Sequence, residues 1–194
     1  YREPHREKAL ARARSLMAQA GYPYEKGKTK LTLSYHTNTS GNSKQQAEME
    51  ERQFAQIGIA LDVHVTSFPV LSAKLKKRQA QMFTLAWGAD YPDAENFLQL
   101  FYGPNESPGS NSFNYQNPAY DALFAATRTM FPSPERTALY EKMRTMIIDD
   151  CPAIGSMARI RFYVWNKRLK NVAPSEGWYR WYKYLDIVTD EGVP

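Results

Sequence analysis

Cysteine and histidine are scarce in this sequence, and their scarcity excludes several kinds of site. Among the 194 residues there is 1 cysteine, Cys151, and the histidines are His5, His36 and His64. One thiol cannot form a disulfide within the chain or a zinc site of the paired-cysteine kind. The histidines lack partners at metal-ligand spacing, so we expect no metal and no cofactor. Cys151 precedes Pro152, and we expect it to be a small buried residue rather than a nucleophile.

Long apolar runs, a glycine-rich phosphate loop and a start methionine are also missing. A membrane helix needs about 20 apolar residues, so we expect at most peripheral contact with a membrane. The first residues, Tyr1-Arg2-Glu3-Pro4-His5, do not form a signal peptide, and we expect a processed or truncated piece. The net charge of +5 is spread along the chain without a nucleic-acid-binding motif. We therefore expect no nucleic-acid binding. We also expect a monomer.

Hydrophobic periodicity predicts strands that alternate with helices in the first part of the chain. The predicted elements are a helix over 4–20, a strand over 31–35, a helix over 43–57, a strand over 59–65, a helix over 69–78 and a strand over 82–87. This order is typical of parallel strands joined by right-handed crossovers. The uninterrupted apolar run of the last strand predicts burial on both faces. We therefore predict an α/β fold with a mainly parallel sheet flanked by helices.

The next part of the chain is predicted to be helical. Residues 93–101 carry apolar side chains at helical spacing. Asn117 and Ser133 each precede a proline, a pattern typical of helix N-caps, and the second of these helices is expected to reach about Asp149. The loop over 102–111 is rich in turn-forming residues, and loops of this length are often functional.

The pattern changes again after Pro152. The following residues are apolar and partly β-branched, which favours an extended segment, and residues 182–188 are expected to form a last strand. We expect residues 1–151 to form one lobe. Residues 152–194 are expected to form a tail that packs partly against something other than the first sheet.

The turn after the third predicted strand carries the strongest functional signal. Trp87 ends the apolar run, Gly88 breaks it, and Asp90 and Tyr91 follow before Pro92, where a helix is expected to begin. Ligands of open α/β sheets bind outside the carboxyl ends of the strands. A carboxylate there can receive an ammonium group, worth about 1.5–3 kcal/mol, and a tryptophan can add about 0.5–2 kcal/mol by cation–π contact. Spacing alone leaves equally open that Trp87 is core and that Asp90 caps the next helix.

Several motifs follow one another in a characteristic order along nearly the whole chain. They are Ala20-Gly21-Tyr22-Pro23 after the first helix, the strand entry Ile57-Gly-Ile-Ala-Leu-Asp-Val63, Phe68 before a helix, Trp87-x-x-Asp90, Asn117-Pro-x-Tyr-Asp121 and Ser133-Pro-Glu-Arg-x-x-Leu-Tyr140. In this order and spacing they resemble the bacterial extracellular solute-binding proteins of family 5. That family includes the oligopeptide- and dipeptide-binding components of ABC importers.

The resemblance implies a fold of two α/β lobes that close over a ligand. It implies that residues 1–151 form most of the second lobe and that residues 152–194 return to the first. Asp90 matches the acid that holds a peptide's free α-amino group, and Trp87 and Phe68 match pocket aromatics, with Tyr91 as a further wall. The implied function is non-catalytic capture of a solute, expected to be a peptide or another small amine-bearing molecule. The implied partners are ABC transporter permease subunits in a periplasmic or other extracytoplasmic setting.

The chain departs from the family at two positions, and two other functions stay open. Oligopeptide binders carry arginines where this chain has Leu75 and Thr84, so these positions supply no arginine for a ligand carboxylate. One alternative is a ligand-sensing domain of a transcription regulator with the same fold. The other is a hydrolase that uses Asp90, Asp93 and Glu95 as acids and bases. If the first lobe is absent, we expect the 194 residues alone to bind ligand weakly or not at all.

Overall fold

The computed structural model describes residues 6–39, 41–158, 160–175 and 180–188. Its contacts divide the chain into two units, Tyr1–Ala86 and Trp87–Pro194. The first unit contains α1 (Arg6–Gln19), β1 (Leu31–Asn38), α2 (Ser43–Ala55), β2 (Ile59–Thr66), α3 (Phe68–Lys76) and β3 (Met82–Phe83). The predicted order of strands and helices is therefore confirmed, although the predicted helix start at residue 4 lies outside the described residues.

The strands of the first unit form a parallel sheet in the order β2-β1-β3. Strand β1 pairs with β2 from Leu31↔Ile59 to Asn38↔Thr66, and with β3 at Tyr35↔Met82. The chain moves from β1 to β2 in one direction and then back past β1 to β3. Because crossovers between parallel strands are right-handed, α2 and α3 lie on opposite faces of the sheet. Such a reversal between β1 and β3 is a topological switch point, the place where ligands bind in open α/β sheets.

Strict alternation along the strands separates an apolar face from a polar one. The apolar face forms a core of Tyr35, Ala47, Ile59 and Leu61, where Ala47 comes from α2. On the other face, the ring of His36 in β1 stacks on the ring of His64, its register partner in β2, with 4.6 Å between the ring centroids. Period-2 side-chain placement explains both faces, since residues i and i+2 of a strand point the same way.

The second unit is mostly helical and has its own core. Its elements are α4 (Glu95–Leu98), a 3-10 turn (Gln99–Phe101), another (Gly103–Asn105), α5 (Pro118–Thr127), α6 (Pro134–Asp150), β4 (Leu169–Lys170), a 3-10 turn (Trp181–Tyr184) and β5 (Asp186–Ile187). Leu98, Tyr120, Phe124 and Met143 are the buried residues of the core. The Tyr120 hydroxyl donates to the carbonyl oxygen of Leu98 at 2.7 Å, which satisfies the polar end of this buried ring.

Both predicted proline-containing helix starts are confirmed by their caps. The Asn117 side chain accepts hydrogen bonds from the backbone N–H groups of Ala119 and Tyr120 at the start of α5. The Ser133 hydroxyl accepts one from the Arg136 N–H at 3.1 Å at the start of α6. Such caps satisfy backbone donors that have no partner within the helix.

The prediction of a strand buried on both faces over 82–87 is wrong. Only Met82 and Phe83 pair with β1, and Ala86 and Trp87 are exposed. In the described sheet β3 is an edge strand, so one side of it has no neighbouring strand. The helix predicted over 93–101 is also shorter, because Asp93 accepts a hydrogen bond from the Glu95 N–H and α4 begins only at Glu95, not near Pro92.

The expectation that Cys151 is buried is wrong as well. Cys151 is exposed and adopts a left-handed conformation, φ 49°, at the end of α6. A left-handed residue commonly ends a helix at the surface. The strand expected over 182–188 is reduced to β5, which pairs antiparallel with β4, because Trp181–Tyr184 forms a 3-10 turn instead.

The described residues between Pro152 and Trp165 have no regular secondary structure. Their apolar side chains are between 69% and 95% exposed at Ile154, Met157, Ile160, Phe162 and Val164. Among the helices that the structure describes, none has both the length and the apolar character required to cross a membrane.

Candidate functional site

One buried amide holds the turn that contains Trp87 and Asp90. Asn96 lies in α4 and is only 1% exposed. Its Oδ1 accepts a hydrogen bond from the indole Nε1 of Trp87 at 2.8 Å and another from the backbone N–H of Asp90 at 3.2 Å. Its Nδ2 donates to Oδ2 of Asp90 at 3.4 Å. Trp87 and Asp90 are therefore both hydrogen-bonded to the same side chain.

The Asp90 side chain is exposed. No lysine or arginine nitrogen of the described residues lies within 4.0 Å of it, and Asn96 is its side-chain partner. Trp87 is 39% exposed, so it is not a core residue. The open alternative that Asp90 caps the following helix is wrong, because Asp93 accepts the hydrogen bond from the Glu95 N–H at 2.9 Å.

The neighbouring acids have the opposite environment. The Arg136 guanidinium from α6 donates through Nη1 to Oδ2 of Asp93 at 2.5 Å and through Nη2 to Oε2 of Glu95 at 3.3 Å. Its Nε donates to the carbonyl oxygen of Thr127 at 3.1 Å, so all three nitrogens of this 7%-exposed residue have partners. The Tyr140 hydroxyl donates to Oδ1 of Asp93 at 3.0 Å.

The titration behaviour of this cluster follows from its contacts. Burial raises the pKa of Asp93, but the hydrogen bonds from the Glu95 N–H, Arg136 and Tyr140 outweigh burial and hold that pKa below its usual value. The hydrogen bond to Asp93 raises the pKa of Arg136. Burial and the same carboxylate raise the pKa of Tyr140. Asp93 is thus an ionised structural group, and its position offers no free base for acid–base chemistry.

Comparison with known proteins identifies the chain's relatives. The model of the bacterial extracellular solute-binding proteins, family 5 (middle part), matches residues 1–109, which is more than half of the chain. The chain belongs to this family. The α/β fold predicted from the sequence is therefore also the fold of its relatives.

Two curated relatives and two solved structures illustrate the similarity. The oligopeptide-binding protein OppA of Bacillus subtilis is 29% identical over 74% of this chain and 26% of its own length. The periplasmic oligopeptide-binding protein OppA of Escherichia coli is 29% identical over 89% of this chain and 30% of its own length. The family 5 chain thus spans about a quarter to a third of these relatives.

The structure of the periplasmic binding protein DppA from Helicobacter pylori in complex with the peptide STSA matches with a TM-score of 0.66 and 27% identity. That match covers 74% of this chain and 27% of the DppA chain. The murein tripeptide-binding protein MppA of Escherichia coli matches with a TM-score of 0.69 at 22% identity, over 78% of this chain and 30% of its own, which shows the shared fold.

The predicted ligand residues of this family 5 chain fall in both units. Trp87 and Asp90 meet on Asn96, and Tyr91 follows directly in the chain and is exposed. Phe68 is the first residue of α3 in the first unit and is also exposed. Among the described residues, no group of three or more histidine, cysteine, aspartate or glutamate side chains could hold a metal ion. The binding roles of these residues stay predictions.

The two positions that depart from the family have structural roles in the first unit. Leu75 is a buried residue of α3. The Thr84 hydroxyl forms a hydrogen bond with the Tyr35 hydroxyl, whose pKa is raised to about 12, mainly by burial. Neither side chain can supply the cation that oligopeptide binders place there.

Sequence reasoning missed Asn96 and Arg136. Asn96 precedes the apolar residues Phe97 and Leu98 in a short helical segment. A carboxamide at a buried position of a helix is expected to form hydrogen bonds, and this was the signal that could have identified it. The sequence places Arg136 only within a helix start, because its partner Asp93 lies 43 residues earlier in the chain.

Proposed function

We propose that this family 5 chain supplies the second ligand-binding lobe of a solute-binding component of a bacterial ABC importer. It captures a peptide or another small amine-bearing solute and catalyses no reaction. The observation that carries the proposal is the exposed Asp90 carboxyl group beside an exposed indole, with no lysine or arginine of the described residues paired to it. The two curated relatives described above are oligopeptide-binding proteins, which supports the substrate class.

The chemistry of Asp90 and Trp87 suits an ammonium group. A charge-assisted hydrogen bond to a ligand ammonium contributes about 1.5–3 kcal/mol, and an indole face contributes about 0.5–2 kcal/mol to a cation that it contacts. Tyr91 and Phe68 are proposed as apolar walls of the ligand site, a role that their exposed rings support. Closure of two lobes about a hinge then removes the ligand from water.

The lobe assignment belongs to the same proposal. Residues 1–151 are assigned to the second lobe and residues 152–194 to a tail that returns to the first. The exposed apolar side chains between Ile154 and Val164 support a tail that packs on another surface, since exposed apolar patches commonly mark contact sites. An extracytoplasmic location and permease subunits as partners complete the proposal. The name of the Escherichia coli relative, a periplasmic protein, supports that location.

Competition between free and blocked amino termini tests this function. The gene product that carries these 194 residues is dialysed to equilibrium against an equimolar mixture of a tripeptide library and the same library N-acetylated, at pH 7. Mass spectrometry then quantifies both forms on the protein side. We expect free-amine peptides to be retained about 10-fold or more over acetylated ones, from the energy of one charge-assisted hydrogen bond.

Substitutions identify the residue responsible. Asp90→Ala is expected to abolish the preference, whereas Asp149→Ala, which removes an exposed acid of α6, is expected to leave it unchanged. Equal retention of both peptide forms by the unaltered protein, or an unchanged preference in Asp90→Ala, contradicts the proposal.

A further inference from the structure

The buried Asn96 amide can face its neighbours in one orientation only. The indole Nε1–H of Trp87 and the backbone N–H of Asp90 are donors without acceptor capacity. The atom of Asn96 that lies 2.8 Å and 3.2 Å from them must therefore be the oxygen. The amide nitrogen then necessarily faces the Asp90 carboxylate, where it donates to Oδ2. The donor-only chemistry of these two neighbours therefore decides which end of the Asn96 amide is the oxygen and which is the nitrogen.

This orientation leaves half of the Asp90 carboxylate open. Asn96 occupies Oδ2, while Oδ1 of Asp90 accepts no hydrogen bond from the residues that the structure describes. Because the amide is neutral, it holds the carboxylate without cancelling its charge. An arginine in the same place would form an ion pair and remove the attraction for a ligand cation, which is what Arg136 does to Asp93.

We propose that Asn96 is a positioning residue for the ligand's ammonium group. This inference rests on the proposed function and adds a mechanism to it. Asn96 holds the indole of Trp87 and the carboxylate of Asp90 at a fixed relative position, so that one cation can meet both. Side chains that are already held lose less conformational entropy when the ligand binds, and preorganisation of this kind raises affinity.

The substitution Asn96→Leu tests the inference, because leucine keeps most of the volume and removes both the acceptor and the donor. The readout is the ratio of free-amine to acetylated tripeptides retained in the equilibrium dialysis described above. A smaller folded fraction lowers retention of both forms by the same factor, so the ratio does not respond to a purely structural role. We expect the ratio to fall about 10-fold, close to the value of Asp90→Ala.

The same substitution at Asn114 is the matched control. The Asn114 amide also accepts one backbone hydrogen bond, from Ser107, and donates one, to Ser112, within the loop before α5. Asn114→Leu is expected to lower stability and leave the peptide ratio unchanged. If Asn96→Leu does not fold, Asn96→Ala replaces it, because alanine removes the same hydrogen bonds.

The outcomes separate this inference from the function beneath it. A ratio that collapses in Asn96→Leu and in Asp90→Ala, but not in Asn114→Leu, supports the positioning role. A ratio that collapses in Asp90→Ala and keeps its original value in Asn96→Leu overturns the positioning role and leaves the proposed function intact. A ratio near 1 in the unaltered protein overturns both.

Discussion

Among the charged side chains of the second unit, we expect Arg136 to contribute most to the free energy of unfolding. Arg136→Met keeps much of the packed stem and leaves Asp93 and Glu95 without their cation. Removing one partner of a buried ion pair costs about 3–5 kcal/mol. The two carboxylates are 26% and 22% exposed, so water recovers part of that loss. We therefore expect a loss of about 2–3 kcal/mol in the free energy of unfolding, which corresponds to about 4–12 °C in Tm.

Urea denaturation followed by tryptophan fluorescence measures this loss selectively. The tryptophans that the structure describes, Trp87, Trp165 and Trp181, all belong to the second unit, so their emission reports on that unit. This choice matters because a chain of two units need not unfold in one two-state transition.

Arg144→Met provides the matched control on the same helix. Arg144 pairs with Glu141, but their side chains are 64% and 58% exposed. Exposed i,i+3 pairs on a helix contribute about 0.2–0.5 kcal/mol, so we expect a loss of no more than about 0.5 kcal/mol. A difference between Arg136→Met and Arg144→Met of less than about 0.5 kcal/mol refutes the reasoning, because burial would then make no difference to the pair.

The pH dependence gives a second check with a defined sign. The pKa of Asp93 is lowered in the folded state, so its contribution is present above the unfolded value of about 3.9 and is lost as pH falls through the lower folded value. The stability gap between the unaltered protein and Arg136→Met should therefore shrink as pH falls below about 4. A gap that stays constant down to pH 2 contradicts the ion-pair explanation.

Two further predictions concern local features of each unit. Burial lowers the pKa of His36, and the charge of Lys74 lowers it further. The free energy of unfolding, measured by circular dichroism in urea, should therefore fall as the pH drops from about 6.5 through the lower pKa of the folded state. The variant His36→Gln should lack that fall. Gly109→Ala places a Cβ 2.5 Å from the backbone oxygen of Asn105 and should cost about 2 kcal/mol or more by overpacking, whereas Gly155→Ala, with nothing within 4 Å, should be neutral in the same assay.

The features that could be predicted from the sequence are those with local causes. The alternation in β1 and β2 follows from which side chains a strand presents to each face, and it needs no knowledge of distant residues. The caps at Asn117 and Ser133 act over a few residues, so each helix start could be placed correctly. The chain order of these elements then restricts the topology through the handedness of the crossovers.

The features that could not be predicted depend on distant partners. The length of β3 is set by how far it pairs with β1, which lies more than 40 residues earlier in the chain. The Arg136–Asp93 contact likewise joins residues 43 positions apart. Cys151 is exposed and ends α6 in a left-handed conformation, and no local apolar pattern predicts that conformation.

The contrast between Asp90 and Asp93 shows how one turn can be both stable and receptive. A turn that carries Asp90, Asp93 and Glu95 concentrates like charges, which repel and disfavour the compact state. Arg136 pairs with the two later acids, and one of them, Glu95, is the first residue of α4, the helix that contains Asn96. Asp90 instead meets the neutral amide of Asn96, and no lysine or arginine of the described residues pairs with its exposed carboxyl group. Under the proposed function, stability depends on Asp93 and Glu95 and binding depends on Asp90. Each should then respond to its own substitution: unfolding to Arg136→Met, and the peptide ratio to Asn96→Leu.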